Sequence, residues 1–179
     1  SGQYWMGGTQ IHSGQGLVDI VNTSTAASTQ TSVRGVFLDA NGANIRVTST
    51  KTSGDAIRVT SVSNSPGDFN MAFRASSSQS ANRITIEAPN GGDISMQGTV
   101  SGTGSGSVSF YLNNVDLVAS SGKIRLEGNR GVRLNFDTAG STNFGATSSG
   151  SSTSDVEIIG NRYLETSGRA VNFKTSGKL

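Results

Sequence analysis

Cysteine is missing from the 179 residues, histidine occurs once and proline twice. Without cysteine there are no disulfide staples, thiolate metal sites or thiol chemistry, and a lone His12 offers no imidazole cluster for zinc. Charge is sparse as well. Charged residues make up 15% of the chain against the usual quarter of a soluble domain, and 14 Lys and Arg against 12 Asp and Glu leave a net charge of +2. So thin a balance, with no basic cluster interleaved with aromatics, argues against nucleic acid as a partner. No apolar run approaches the roughly 20 residues that span a bilayer, so membrane insertion is not expected. Helical periodicity is also missing, because Gly or Ser clusters interrupt every window of about 11 residues in which three-to-four spacing begins. The chain opens at Ser1 without a basic-then-apolar leader, and is therefore expected to be a mature chain or a piece of a longer one.

What is present is Ser, Thr, Asn and 24 Gly, with Ile, Val, Leu and Phe scattered among them in short clusters. The clusters read apolar-x-apolar, the two-residue period that sends alternate side chains to opposite faces of a strand. Such triplets are Val36-Phe-Leu38, Ile45-Arg-Val47, Ile57-Arg-Val59, Ile84-Thr-Ile86, Ile94-Ser-Met96, Val108-Ser-Phe110, Ile124-Arg-Leu126, Val132-Arg-Leu134, Val156-Glu-Ile158 and Val171-Asn-Phe173. Gly, Asn, Asp or Ser flanks each, as in Asn41-Gly42 and Asn90-Gly91-Gly92, supplying turns that need positive φ. The polar stretches 22–35, 98–107 and 137–155 read either as protruding loops or as weak strands with solvent-facing hydroxyls.

Two kinds of triplet roughly alternate, one followed by Thr, Glu or Gly (NIRVTS, KIRLEG) and one after a turn glycine with phenylalanine near (GSVSFYL, GVRLNF). A pair makes a rung of about 20 to 30 residues, too small to bury an apolar face alone, so rungs must stack on their neighbours. Parallel strands joined by short turns, without helices, describe an all-β solenoid, a parallel β-helix of about seven coils. The outer residues of each triplet then fill the interior, each burial contributing about 1.5–3 kcal/mol. A β-sandwich or barrel of similar strand count is the competing architecture.

The phrases "SSGKIRLEGNRGVRLNF", "GGDISMQGTVSGTGSGSVSFYL" and "DVEIIGNRYLETSGRAVNF" resemble the degenerate repeats of filamentous haemagglutinin-like exoproteins, the large two-partner-secretion adhesins of Gram-negative bacteria. The resemblance covers most of residues 36–179, read as one continuous domain of β-helical repeats. Residues 1–35 match poorly and are read as irregular or embellished first coils. The resemblance implies a right-handed parallel β-helix, an outer-membrane secretion partner, a secreted location at the bacterial cell surface, and a host-cell glycan or protein receptor. An Asn-Pro-Asn-Leu secretion element does not occur, so the stretch reads as internal shaft.

Parallel β-helices also host polysaccharide lyases and hydrolases, which need two opposed carboxylates. Here the acids are dispersed, many in turns. Asp116 in "NNVDL" is similar to the Asn-x-Asp of β-helical polygalacturonases, but no Gly-His-Gly or Arg-x-Lys element follows. "GTGSGS" lacks the Lys of a phosphate loop. No catalytic residue, metal or cofactor is expected. Arg46, Arg58, Arg125 and Arg133 all occupy the middle of a triplet and should point outward. Stacked in register on one face or neighbouring faces, they would bind anionic sugars through their bidentate forks; alternatively they only keep parallel faces soluble. The expected function is a non-enzymatic segment of a secreted adhesin, with a phage or autotransporter β-helical fibre acting on polysaccharide as the alternative.

Overall fold

The computed structural model of the chain describes residues 2–26, 32–135, 140–147, 149–160, 164–166 and 170–179. Among these residues all regular structure is β-strand. The first coil is β1 (Gln3–Met6), β2 (Gln10–Ser13) and β3 (Val18–Thr25); the second is β4 (Arg34–Asp39), β5 (Ile45–Ser49) and β6 (Asp55–Asn64). β7 (Met71–Ser76), β8 (Ile84–Ala88) and β9 (Asp93–Val100) make the third, and β10 (Val108–Asn113), β11 (Val115–Ala119) and β12 (Ile124–Gly128) the fourth. The fifth holds β13 (Gly131–Leu134), β14 (Ser141–Gly145) and β15 (Val156–Gly160), and β16 (Leu164–Thr166) and β17 (Ala170–Phe173) begin another.

Each strand pairs in parallel with the strand three places on, giving a first sheet in the order β1-β4-β7-β10-β13-β16, a second running from β2 to β17 and a third from β3 to β15. This is a parallel β-helix solenoid with three strands to the coil. The expected two-strand rung is thus corrected to three, and among the described residues the strands make five complete coils and part of another in place of the expected seven. Within residues 1–35, read from sequence as irregular or embellished first coils, residues 3–25 carry β1, β2 and β3, each paired with its counterpart in the second coil. Of the polar stretches, residues 22–25 and 141–145 are strand and 101–107 is a connection, while 27–31 and 137–139 lie outside the described residues.

Register explains why these segments are strands. Val36, Phe73, Phe110 and Val132 stand opposite one another in the first sheet, as do Ile11, Val47, Ile86, Leu117 and Phe144 in the second. The third sheet stacks Val18, Ile57, Ile94, Ile124 and Val156. All belong to, or pack against, one apolar cluster that runs through the molecule. Every described triplet lies in a strand, with one shift of frame. At β10 a bulge moves the register after Val108, so Phe110 and Leu112 enter the main core while Val108 joins Met71 and Tyr111 in a separate cluster.

The corners carry the irregularity. From Phe110 to Val132 the coil advances 22 residues, from Val18 to Ile57 it advances 39, and the difference is absorbed between strands. Asn114 and Asn135 take φ of 59° and 55° at the corner between the first and second sheets. There Asn114 Nδ2 donates to the Asn82 carbonyl at 2.6 Å and Asn135 Nδ2 to those of Gly140 and Ala170 at 2.9 and 2.7 Å. These bonds satisfy buried groups that a turn would otherwise leave without partners.

Candidate functional site

An in-register solenoid turns every outward strand position into a ladder, with rungs about 4.8 Å apart. The nominated arginines fall on three different ladders. Arg46 is on the second sheet, Arg58 and Arg125 are on the third, and Arg133 is on the first, so no single stripe contains all four.

On the third sheet the central outward ladder reads Asp19, Arg58, Ser95, Arg125, Glu157. Arg58 Nε and Nη2 reach the two Asp19 oxygens at 3.2 and 2.6 Å. Hydrogen bonding to Arg58 holds the Asp19 carboxyl below its ordinary value, and the same bond raises Arg58. Arg125 lies 3.0 Å from Glu157 and 3.1 Å from Glu127, and Lys123 is 3.4 Å from Glu157. This face is a charge ladder that neutralises itself.

The second sheet is likewise internally paired. Arg46 Nε donates to Glu87 Oε1 at 2.8 Å, and Thr48 Oγ1 donates to the same oxygen at 3.0 Å. The pair lines a shallow depression of about 420 Å³ that also includes Gln10, His12 and Pro89. Further along, Asp116 is clamped by Arg83 through Nε at 2.7 Å and a second bond from Nη2. Asn143 Nδ2 donates to Asp116 at 2.5 Å and Asn172 Nδ2 to Asn143 at 2.7 Å, which continues an amide ladder down the sheet. The arrangement occupies Asp116 structurally. Among the described residues no three of His, Asp and Glu converge as a metal site would require.

The first sheet differs in kind. Its central outward ladder reads Tyr4, Phe37, Arg74, Tyr111, Arg133 and, in backbone register, Glu165. Tyr4 and Phe37 rings lie 5.1 Å apart. Arg34 and Arg74 place their guanidinium carbons 4.7 and 4.8 Å from the Phe37 centroid, and Arg74 is also 5.1 Å from that of Tyr111. Stacking of this kind fixes the plane of a guanidinium, and Arg74 Nε also donates to Ser76 Oγ at 3.2 Å. Beside this ladder a corner column sets Arg34, Met71, Val108 and Gly131 in register, and Arg130 precedes it, its backbone N–H donating to Ser109 Oγ at 3.0 Å. Arg130 is 8% exposed. Its Nη1, like Arg34 Nε, is buried without a hydrogen-bond partner among the described residues. Desolvation, and then the neighbouring Arg74 charge, hold Arg34 below its ordinary value.

Of these residues the sequence reading named only Arg133. Arg74 was missed because β7, "MAFRAS", breaks the triplet form with alanine, and Arg34 and Arg130 because they sit at corners. The readable signal was Phe37 and Tyr111, aromatic residues in middle positions. Comparison with protein families, with curated proteins and with solved structures finds no match to this chain.

Proposed function

We propose that the chain is a non-enzymatic segment of a secreted bacterial surface adhesin, a rigid β-helical shaft that presents a host-cell or glycan binding surface. The observation that carries this reading is the state of the outer faces. They are in-register ladders on which Asp19, Glu87, Asp116, Glu127 and Glu157 all sit in ion pairs. Catalytic cleavage of a glycoside calls for two carboxyl groups facing one sugar, whereas carboxylates held by arginines favour a surface that recognises or spaces. An elongated stack with one continuous core also suits display, because each coil leans only on its neighbours and length is added without a new fold.

The test is to couple the chain to beads and count those retained on cultured epithelial cells, alongside beads carrying the heat-unfolded chain. Retention of the folded beads well above the unfolded control supports the reading. Release of reducing sugar ends from a polysaccharide panel would instead favour the enzymatic fibre, and retention equal to the control would leave only a spacer.

A further inference from the structure

Resting on the display reading, we propose that the depression on the outer face of the second sheet, lined by Gln10, His12, Arg46, Thr48, Glu87 and Pro89, binds an uncharged sugar of a glycan through its hydroxyl groups. Three observations lead there. The first is a built floor. Thr48 and Glu87 follow the core residues Val47 and Ile86 and so face outward, in register with each other and with His12. Yet they are only 7% and 9% exposed, so the depression of about 420 Å³ reaches down to a buried carboxylate. That size falls in the range of small-ligand sites.

Second, the floor and walls hold open hydrogen-bonding positions of both kinds. Arg46 Nε and Nη2 and Thr48 Oγ1 all converge on Glu87 Oε1. Glu87 Oε2 accepts no bond among the described residues and is not sealed from solvent. Arg46, whose side chain is 60% accessible, keeps Nη1 as a donor. One ion pair thus fixes an acceptor and a donor side by side, which matches sugar hydroxyls, since each can donate and accept. The Gln10 amide opposite Arg46 and the His12 ring opposite Thr48 each add a donor and an acceptor one rung away, about 4.8 Å at the usual strand spacing. Further along the same face such positions are occupied within the protein, where Arg83 clamps Asp116 and the amides of Asn143 and Asn172 continue from it.

Third, the charge balance selects an uncharged ligand. Arg46 and Glu87 are the Arg and Glu lining the depression, and their charges cancel. A carboxylate or sulfate would have to take Arg46 from Glu87 and leave a buried acid behind, whereas hydroxyls bond to the pair without breaking it. Ile11 and the exposed Pro89 ring supply apolar contact for the carbon face of the sugar.

The experiment passes beads carrying the folded chain over an array of immobilised oligosaccharides with uncharged galactose, glucose, mannose or fucose ends, printed beside sialylated and sulfated counterparts. At least one uncharged class should capture the beads, the same oligosaccharide in solution should release them, and about 0.5 M salt should weaken capture less than about twofold. Glu87→Gln, which keeps the side-chain shape and removes the carboxylate, should lower capture at least about tenfold, while Arg58→Gln/Arg125→Gln on the third sheet changes it less than about twofold. If Glu87→Gln melts early, Gln10→Ala/His12→Ala, at two exposed positions, replaces it with the same expectation. The inference is overturned if no uncharged class captures the beads, if sialylated or sulfated ends capture them more strongly, if salt releases them, or if the second-sheet and third-sheet variants behave alike. Retention on epithelial cells without capture on the array would sink this site and leave the display reading standing; capture on the array without retention on cells would do the reverse.

Discussion

At the scale of single residues, the same ion-pair chemistry has different consequences on different faces. The Arg58–Asp19 pair is exposed at both ends, with side chains 44% and 36% accessible, and water screens it, so Arg58→Gln should leave the urea midpoint nearly unchanged. Asp116 is only 4% accessible and holds both Arg83 and Asn143. Asp116→Ala leaves Arg83 with neutral acceptors, Asn114 Oδ1 and the Ser141 carbonyl, in place of the carboxylate, and takes the Asp116 acceptor from the Asn143 amide. Because Arg83 is a quarter exposed, the loss should fall at about 2–4 kcal/mol, at or below the 3–5 of a fully buried pair. Urea unfolding of the two variants measures the contrast, and equal midpoints would refute it. Tyr4 offers a test by pH. Its hydroxyl donates to Asp39 at 2.8 Å, and this bond, then burial and the Asp39 charge, raise the phenol above its ordinary 10.0. A raised value means that the contribution is fully present below pH 10 and lost as pH climbs through the raised value. Asp39→Ala should move the change in phenolate absorbance that Tyr4→Phe removes back down toward 10.0; an unchanged titration difference against Tyr4→Phe counts against the bond.

At the scale of elements, strands were legible and their grouping was not. Ile57-Arg-Val59 or Ile124-Arg-Leu126 shows its strand character locally, because alternation is a property of three adjacent residues, and Ile57, Val59, Ile124 and Leu126 are all buried. Sheet membership depends instead on counting every strand, so strands with weak patterns upset the count. β7 presents Ala where a triplet would present a large side chain, β14 is "STNFG", β1 is "QYWM" without an Ile, Val or Leu, and β2 is mostly polar. With those overlooked, two strands to the coil was the natural count, and Arg46, Arg58, Arg125 and Arg133 seemed to share faces that the third strand separates. Packing gives a second reason. Gly98 and Gly128 face one another in the third sheet, where a Cβ on Gly98 would come within 3.1 Å of the Phe110 ring and one on Gly128 within 2.5 Å of Ser109 Cβ. Those glycines leave room for the first sheet to approach, a role that reads in sequence only as another turn signal. The bulge after Val108 is of the same kind, set by the neighbouring coil and invisible in "GSVSF".

At the scale of the whole molecule, stability is shared between neighbouring coils, so the solenoid should survive losing one of them if register and charge still match. The third coil permits this test. Met71 and Val108 are register equivalents, so deleting residues 71–107 joins Asn70 to Val108 at the position Met71 occupied. β10 then lies against β4, with Phe110 opposite Val36 and Leu112 opposite Leu38, as Phe73 and Ala75 were before. In the second sheet Val115 comes to face Ile45 and Leu117 to face Val47, and in the third Ile124 comes to face Ile57. The charges match as well. Deletion removes Glu87 from Arg46 and Arg83 from Asp116, yet Arg46 and Asp116 both flank Thr85 in register, so the shortened chain brings them together. The deletion variant should therefore keep a β-sheet circular dichroism spectrum and a cooperative melt, at a lower temperature because a coil of core is gone. A second variant, deleting residues 74–109, joins Phe73 to Phe110 inside the strand, where no connection lies to absorb the extra residue, and so turns Phe110 and Leu112 out of the core. It should melt well below the first. If both deletions melt alike, or if the in-register one is unfolded, the coils do not act as interchangeable neighbours and the stability of this solenoid resides in particular rungs.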